Sequence, residues 1–278
     1  MTPYVRALAV LAALLLPGHA AAQKFEPQVG QAGKDVIWVP TPDEVVDRML
    51  TMAQTGPNDI HFDLGAGDGK IAIAAAKKFG ARANGIEYNP DMVKYANEKA
   101  QAAGVAGVGP GKAIIRHGDI FASDFSSATV ITLYLLPSLN MKLRPTLLSM
   151  KPGTRVVSHS FTMEDWEADE VSSLDGRRAY FWVVPASVQG TWTLDVGGRA
   201  TELNLEQTFQ KINGTVSLGG SVQGGLREAR LRGPNIAFAY VDPSGVRRDF
   251  SGTVNGRQMS GSFRDDKGAE GKWSASKK

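Results

Sequence analysis

Apolar positions in the first two thirds of the chain alternate between two periods. Val45, Val46, Met49 and Leu50 recur at helical spacing and give one apolar face. Thr41-Pro42-Asp43-Glu44 precedes them, with a hydroxyl to cap, a proline for the first turn and a carboxylate to complete a capping box. Residues 36–40 read as an extended lead-in. Residues 59–64 are apolar enough for a short strand, and Gly65 to Gly69 is a glycine turn feeding the helix IAIAAAKKF, which Gly80 ends. A second strand covers 83–88. Asn89-Pro90-Asp91 opens the next helix in cap, proline, carboxylate order, and Gly104 closes it. Strands follow at 113–116, 128–136 and 154–159. A helix spans 138–150 before the last of them, and Pro145 must kink it or sit near its start. Near-continuous apolar strands alternating with helices predict an α/β fold with a Rossmann-like, doubly wound, mostly parallel sheet covered on both faces.

From residue 188 the pattern changes. Helical periodicity gives way to strand-like alternation at 201–218, 236–241 and 248–254, and 15 of the 31 glycines fall in this stretch. Asn255-Gly256 between two alternating runs is a two-residue hairpin signal, and Pro243-Ser244-Gly245 marks another turn. These features predict a small antiparallel all-β domain, a barrel or a sandwich. The expected organisation is a leader at 1–22, an α/β domain at 23–187 and a β-domain at 188–278.

The leader has its own pattern. Arg6 precedes the apolar run ALAVLAALLL, Pro17-Gly18 breaks it, and Ala20-Ala21-Ala22 offers small residues for cleavage before Gln23. The run is short of the ~20 apolar residues that span a bilayer, so no transmembrane anchor is expected. The expectation is a signal peptide and an exported, periplasmic protein. An uncleaved N-terminus would leave it in the cytoplasm.

Composition narrows the chemistry. Of 278 residues, 42% are hydrophobic and 21% charged, which excludes a wholly disordered chain or a multi-span membrane protein. The absence of cysteine removes disulfides, thiolate metal sites, iron–sulfur clusters and cysteine nucleophiles. The net charge of +3 is an uneven average: residues 23–187 carry −2 and residues 188–278 carry +4. No specific nucleic-acid binding is expected from so weak a charge. In the β-domain, Arg227, Arg230, Arg232, Arg247 and Arg248 form either a basic face or, with acidic residues interleaved, a charge-mixed surface.

The stretch His61-Phe-Asp-Leu-Gly-Ala-Gly-Asp-Gly-Lys70 carries the candidate chemistry. It puts a carboxylate at a strand end, then glycines at alternate positions, then a helix. Glycines allow a sharp turn and close ligand approach, and the helix start offers free N–H groups. The spacing is G-x-G-x-G, not the G-x-G-x-x-G of dinucleotide binders. Asp63 would repel a pyrophosphate and suits a cationic ligand.

This stretch resembles the first motif of the class I S-adenosylmethionine-dependent methyltransferases. Glu87, in GIEYN, matches their ribose-holding acidic residue, and Asp119, in HGDIF, matches their adenine contact. The resemblance covers about residues 36–187. It implies S-adenosylmethionine as cofactor, S-adenosylhomocysteine as product, in-line methyl transfer and no metal. The implied cofactor-binding residues are Asp63, Gly65, Gly67, Asp68, Gly69, Glu87, Tyr88, Asp119 and Ile120. A narrower resemblance, carried by WVPTPDEVVDRML ahead of DLGAGDGKIAIAAAKKFGARANGIEYNPDMV, is to protein-lysine methyltransferases related to those of the ATP synthase c-ring protein, and distantly to the Dot1-type histone methyltransferases. Their segment before the first helix closes over the cofactor, which makes Thr41 a contact or only a helix cap.

The acceptor end is less marked. The fourth strand runs out as Thr132-Leu133-Tyr134-Leu135-Leu136-Pro137, with no amide or carboxylate to receive a planar amino group. An apolar rim suits a lysine amine, whose neutral form desolvation favours. Tyr134 is a catalytic candidate and Leu135, Leu136 and Pro137 line the expected substrate pocket. His159 is an outside candidate for general base; His61 and His117 read as packed or solvent-facing. The expected partner is a methyl acceptor, most readily a protein. The alternatives are a small-molecule or lipid acceptor, and a non-catalytic binding or scaffolding module on the same fold.

Overall fold

The computed structural model describes residues 25–278; the expected signal peptide lies outside them. The first half of the described chain builds a seven-stranded sheet. Its strands are β1 (Ile60–Leu64), β2 (Arg82–Glu87), β3 (Ala113–His117), β4 (Val130–Leu133), β5 (Arg155–His159), β6 (Glu170–Leu174) and β7 (Arg177–Val183), in the order β3-β2-β1-β4-β5-β7-β6. β1 to β5 are parallel, and β7 runs antiparallel to both neighbours. The strand order reverses between β1 and β4, which opens a crevice above their carboxyl ends.

Helices α1 (Asp43–Met52), α2 (Lys70–Phe79), α3 (Pro90–Ala102) and α4 (Pro137–Leu148) cover this sheet. Val45, Met49 and Leu50 of α1 and Ile71 and Ala75 of α2 join Ala83, Val130 and Val157 in one core. Leu143 and Leu147 of α4 join Phe62, Leu64, Ile131 and Leu133 in another. Local chemistry sets most boundaries. Asn89 caps α3, its side-chain oxygen accepting from Asp91 N at 2.9 Å and Met92 N at 3.2 Å. Gly80 ends α2 in the left-handed conformation. Thr41 does not cap α1. The cap position falls on Pro42, with no side-chain bond, and the Thr41 hydroxyl is used elsewhere. Pro145 lies inside α4, one turn before its end.

The β6–β7 hairpin is not foreshadowed by the apolar pattern. Its turn is Asp175-Gly176, both at positive φ (48° and 76°), the arrangement that suits a tight hairpin.

The remaining strands form one nine-stranded antiparallel sheet: β8 (Gly190–Val196), β9 (Arg199–Thr208), β10 (Lys211–Leu218), β11 (Ser221–Gly225), β12 (Arg227–Arg232), β13 (Asn235–Val241), β14 (Arg247–Asn255), β15 (Gln258–Asp265) and β16 (Glu270–Lys277). Its order is β11-β10-β9-β8-β16-β15-β14-β13-β12. The two ends curl together, and Leu226 N, between β11 and β12, donates to Gly214 O of β10 at 2.9 Å. The result is a nearly closed barrel filled by Trp192, Leu203, Phe238, Phe250, Trp273 and their neighbours. The Asn255-Gly256 hairpin forms one residue out of the expected register. Asn255 pairs with Gln258 inside the ladder, so Gly256 and Arg257 make the loop, with Gly256 at φ 59°.

The barrel packs on the β5–β7 side of the first sheet. Gly153 N bonds Val184 O and Ala186 N bonds Gly233 O, each at 2.9 Å. A Cβ on Gly233 would come within 3.0 Å of Gly153 Cα, so only glycine allows this approach. Phe209 of the barrel stacks on Trp166, with ring centroids 6.1 Å apart. No helix among the described residues is long and apolar enough to cross a membrane.

Candidate cofactor site

A cavity of about 300 Å³ opens above the carboxyl ends of β1, β2 and β4. Asp63, Gly65, Ala66, Gly67, Asp68, Glu87, Tyr88, Asp119, Ile120, Tyr134, Leu135, Leu136 and Phe161 all line it, and no barrel residue does. The parallel sheet therefore brings together residues far apart in the chain, because each strand ends at the same edge.

Asp63 forms the floor. It is 2% exposed, and its Oδ1 accepts from the Thr132 hydroxyl at 2.8 Å. The Thr132 oxygen lies 2.9 Å from His61 Nε2. With its only proton given to Asp63, Thr132 accepts from His61, so three buried residues on β1 and β4 form one donor chain ending at the carboxylate. Burial pushes the Asp63 carboxyl up to about 7, and Asp68 and Glu87 nearby add to the rise. Burial also pushes His61 down to about 3, which keeps that ring neutral. A fully buried carboxylate with one hydroxyl donor and two acidic neighbours is ready to accept a cation.

The glycine turn rests on Glu87. Glu87 Oε2 accepts from Gly67 N and Oε1 from Asn89 N, both at 2.9 Å. Gly65 and Gly67 have φ of 80° and 52°, and a Cβ on Gly67 would strike the Trp38 ring at 2.6 Å. Glycine is needed there for both reasons. Gly85 on β2 is equally constrained, although it stands outside the glycine motif: its added Cβ would lie 2.7 Å from Ala66 Cβ. Gly69 starts α2 and packs on Ala96 and Ile115 rather than on the cavity. The Asp68 carboxylate is tied to Lys99 of α3 at 2.5 Å.

The segment before α1 covers the cavity as a strap. Gly30 N bonds Trp38 O, Trp38 N bonds Gln31 O and Gly33 N bonds Val36 O, each at 2.9 Å, so residues 30–38 fold back as a small hairpin. Every residue from Gln31 to Thr41 lines the cavity. Thr41 Oγ1 lies 3.2 Å from His159 Nδ1, which ties the foot of the strap to the end of β5. Only residues 36–40 read as a lead-in from sequence; the loop ahead of them carries no periodic signal.

His159 does not line the cavity. It is buried behind Thr41 and Tyr134, its ring 4.0 Å from that of Tyr134, and burial pushes it down to about 4. It therefore supports the wall and is poorly suited to take a proton at neutral pH. Tyr134 and Phe161 stack with centroids 6.1 Å apart and form the aromatic side of the cavity. Buried Asn140 holds the Phe161 loop by donating toward the carbonyls of Phe161 and Thr162. Pro137 begins α4 outside the lining, whereas Leu139, two residues on, is within it. The FTMEDW stretch divides: Phe161 faces the cavity and Trp166 is fully buried in the core.

Comparison with known proteins places this arrangement. A family model described as the ANTKMT methyltransferase domain matches residues 63–170. A protein-lysine N-methyltransferase of Saccharolobus islandicus is 44% identical over 142 residues, which are 50% of this chain and 86% of that one. The chain belongs to the class I S-adenosylmethionine-dependent methyltransferases. A mouse lysine N-methyltransferase, named for the ATP synthase c-ring protein, is 30% identical over 178 residues, covering 63% of this chain and 65% of the mouse protein. A solved Salinibacter ruber structure, described as an RNA methyltransferase with S-adenosyl-L-homocysteine, is 50% identical, with a TM-score of 0.52, over 54% of this chain and 96% of that one.

The methyltransferase's own residues fit the cofactor. Asp63 offers a buried anion to a cationic group, Glu87 and Asp119 offer carboxylates along the same wall, and the cradle at Gly65 and Gly67 is space that any side chain would fill. Among the described residues there is no cluster of His, Asp or Glu suited to a metal ion.

Proposed function

We propose that this methyltransferase modifies the side-chain amine of a protein lysine. The observation that carries the reading is the acceptor wall. Tyr134, Leu135, Leu136, Leu139 and Phe161 provide aromatic and aliphatic surface, with no side-chain amide or carboxylate between them. Such a wall disfavours an ammonium and favours the neutral amine, the form that can attack a methyl group. The names of the Saccharolobus and mouse relatives support the same acceptor.

When bound, S-adenosylmethionine supplies a methyl group already activated on a sulfonium. The chain's part is placement and exclusion of water. Asp63, Glu87 and Asp119 fix the cofactor along the strand ends. The strap covers it, with Trp38 against the glycine turn. Tyr134 and Phe161 flank the channel through which a long, thin side chain reaches the methyl group. The amine's proton leaves to solvent, since no competent base faces the cavity from β5.

An RNA acceptor is the second reading, supported by the description of the Salinibacter relative. The charge argues against it: residues 23–187 carry −2, whereas RNA binding draws on clustered Lys and Arg. Labelled-methyl transfer into a cell extract tests both. Label recovered as methyl-lysine after acid hydrolysis supports the proposal, and label released by ribonuclease overturns it. We also propose export, from the charged start, apolar run and small-residue site of residues 1–22. Fractionation that finds the full-length chain in the cytoplasm would overturn that reading.

A further inference from the structure

Lys34 stands at the tip of the strap, on the turn between the two arms of its hairpin. Its Nζ lies 2.7 Å from Asp119 Oδ2 and 4.7 Å from the centroid of the Tyr88 ring. The other Asp119 oxygen accepts from Phe121 N at 2.9 Å. The ammonium thus engages both groups that would hold an adenine at this end of the cavity: a carboxylate for the exocyclic amino group and an aromatic face for the ring. All three residues line the cavity. The contact is also partly open to solvent, with Lys34 34% and Asp119 31% exposed, so it can be exchanged.

We propose that Lys34 is a built-in occupant of the adenine end of the cofactor site, displaced when the cofactor binds, and that it loosens the enzyme's hold on cofactor and product alike. The inference rests on the assignment of Asp119 to the adenine end. Both S-adenosylmethionine and S-adenosylhomocysteine carry the same adenosyl group, so one competing lysine weakens both. For a methyltransferase this has a use: the spent product is expelled as the strap tip returns to Asp119. The foot of the strap stays tied by Thr41 to His159, so the tip can lift without the strap leaving the site. An exposed ion pair and an exposed cation–π contact are each weak, so the expected penalty is modest, roughly two- to fivefold in affinity.

The test uses the full chain and S-adenosylhomocysteine as the probe, with affinity read by calorimetry. Lys34→Met is expected to bind it about two- to fivefold more tightly at low salt, with the gain shrinking as salt screens the ion pair. The gain should vanish when Lys34→Met is placed in an Asp119→Asn background. Trypsin gives an independent readout: adding S-adenosylhomocysteine to the unmodified chain should speed cleavage after Lys34. Unchanged or weaker binding by Lys34→Met, or slower cleavage, overturns the competition and makes Lys34 a clamp or a bystander. If Asp119→Asn alone leaves the affinity unchanged, Asp119 is not at the adenine end and the proposal fails at its premise, with the methyltransferase assignment untouched.

Discussion

The two halves of the molecule bury different things. Below its surface the seven-stranded half holds Asp59, His61, Asp63, Thr132, Asn140, Ser158 and His159, several of them completely inaccessible. The barrel half buries Ser217 and otherwise only apolar and aromatic side chains among the described residues. Burying a carboxyl or an imidazole costs free energy unless it is partnered or neutral. The barrel avoids that cost, and it contributes nothing to the cavity. The α/β half accepts it chiefly at the carboxyl ends of β1, β4 and β5, and there the polar groups face or support the cofactor site. Stability and chemistry are thus largely separated along the chain.

The largest expected effect that would break this comparison lies in the barrel. Trp273 is 3% exposed, packs on Phe238 and Phe250, and donates its indole N–H to the carbonyls of Ser251 and Ser262 at 3.0 and 3.1 Å. Trp273→Ala should destabilise by about 3–5 kcal/mol in chemical denaturation. Affinity of the folded protein for S-adenosylhomocysteine should stay as it was. A parallel loss of affinity would show that the barrel shapes the site across the Phe209–Trp166 contact. The counterpart is Asp63→Asn, expected to cost about 100-fold in affinity, near 3 kcal/mol, by removing a buried charge that meets a cation. Its effect on stability has the opposite sign. With the Asp63 carboxyl near 7 instead of 3.8, the folded chain retains a proton that the unfolded chain has lost. That contribution is full at acid pH and declines as pH rises through 7. Thermal melts should therefore show Asp63→Asn more stable than the parent above about pH 8, with little difference near pH 5.

The same contrast explains what the sequence conveyed. Strand–helix alternation made the doubly wound sheet legible, because apolar period and glycine turns are local signals. Asp63, Glu87 and Asp119 could be picked out because each stands at or just past a strand end in a recognisable run. The Thr132–His61 support under Asp63 could not, since it joins β1 to β4 across 69 residues and depends on register. The strap was hidden for another reason: its hairpin is made by backbone bonds with no periodic pattern. Asp175-Gly176 is a hairpin signal of the ordinary kind, masked because RRAYFWV lacks clean alternation. In the barrel, Asn255-Gly256 indicated a hairpin correctly, but the ladder shifted the loop by one residue, so that glycine alone takes the positive φ.

A pH titration sharpens the comparison further, with a smaller effect. Only ionised Asp63 attracts a cationic ligand, and its carboxyl is pushed up to about 7 in the free protein. Affinity for S-adenosylhomocysteine should rise about tenfold between about pH 6 and pH 8 and then level off. The Thr132 hydroxyl pulls the other way, since its hydrogen bond favours the ionised carboxylate. Thr132→Val should move the midpoint to higher pH without removing the plateau. A midpoint that ignores both changes would mean that another group controls binding.

The smallest expected effect concerns Tyr134, where the two kinds of burial meet. Its ring stacks on Phe161 and on the His159 ring, as a core residue's would, yet it lines the cavity. If its role is to supply a dry aromatic wall, Tyr134→Phe keeps the ring and should change kcat/KM by less than about threefold. Tyr134→Ala opens the wall, admits water to the amine and exposes the buried His159 ring. It should lower kcat more than it raises KM for the acceptor, because the lost contact matters most where the neutral amine meets the methyl group. It should also leave S-adenosylhomocysteine affinity within about twofold, since Asp63, Glu87 and Asp119 are untouched. A large loss in Tyr134→Phe would instead assign the phenol hydroxyl a direct part in orienting the amine. Full activity in both variants would remove Tyr134 from the acceptor site and leave Phe161 and the leucines to form the wall.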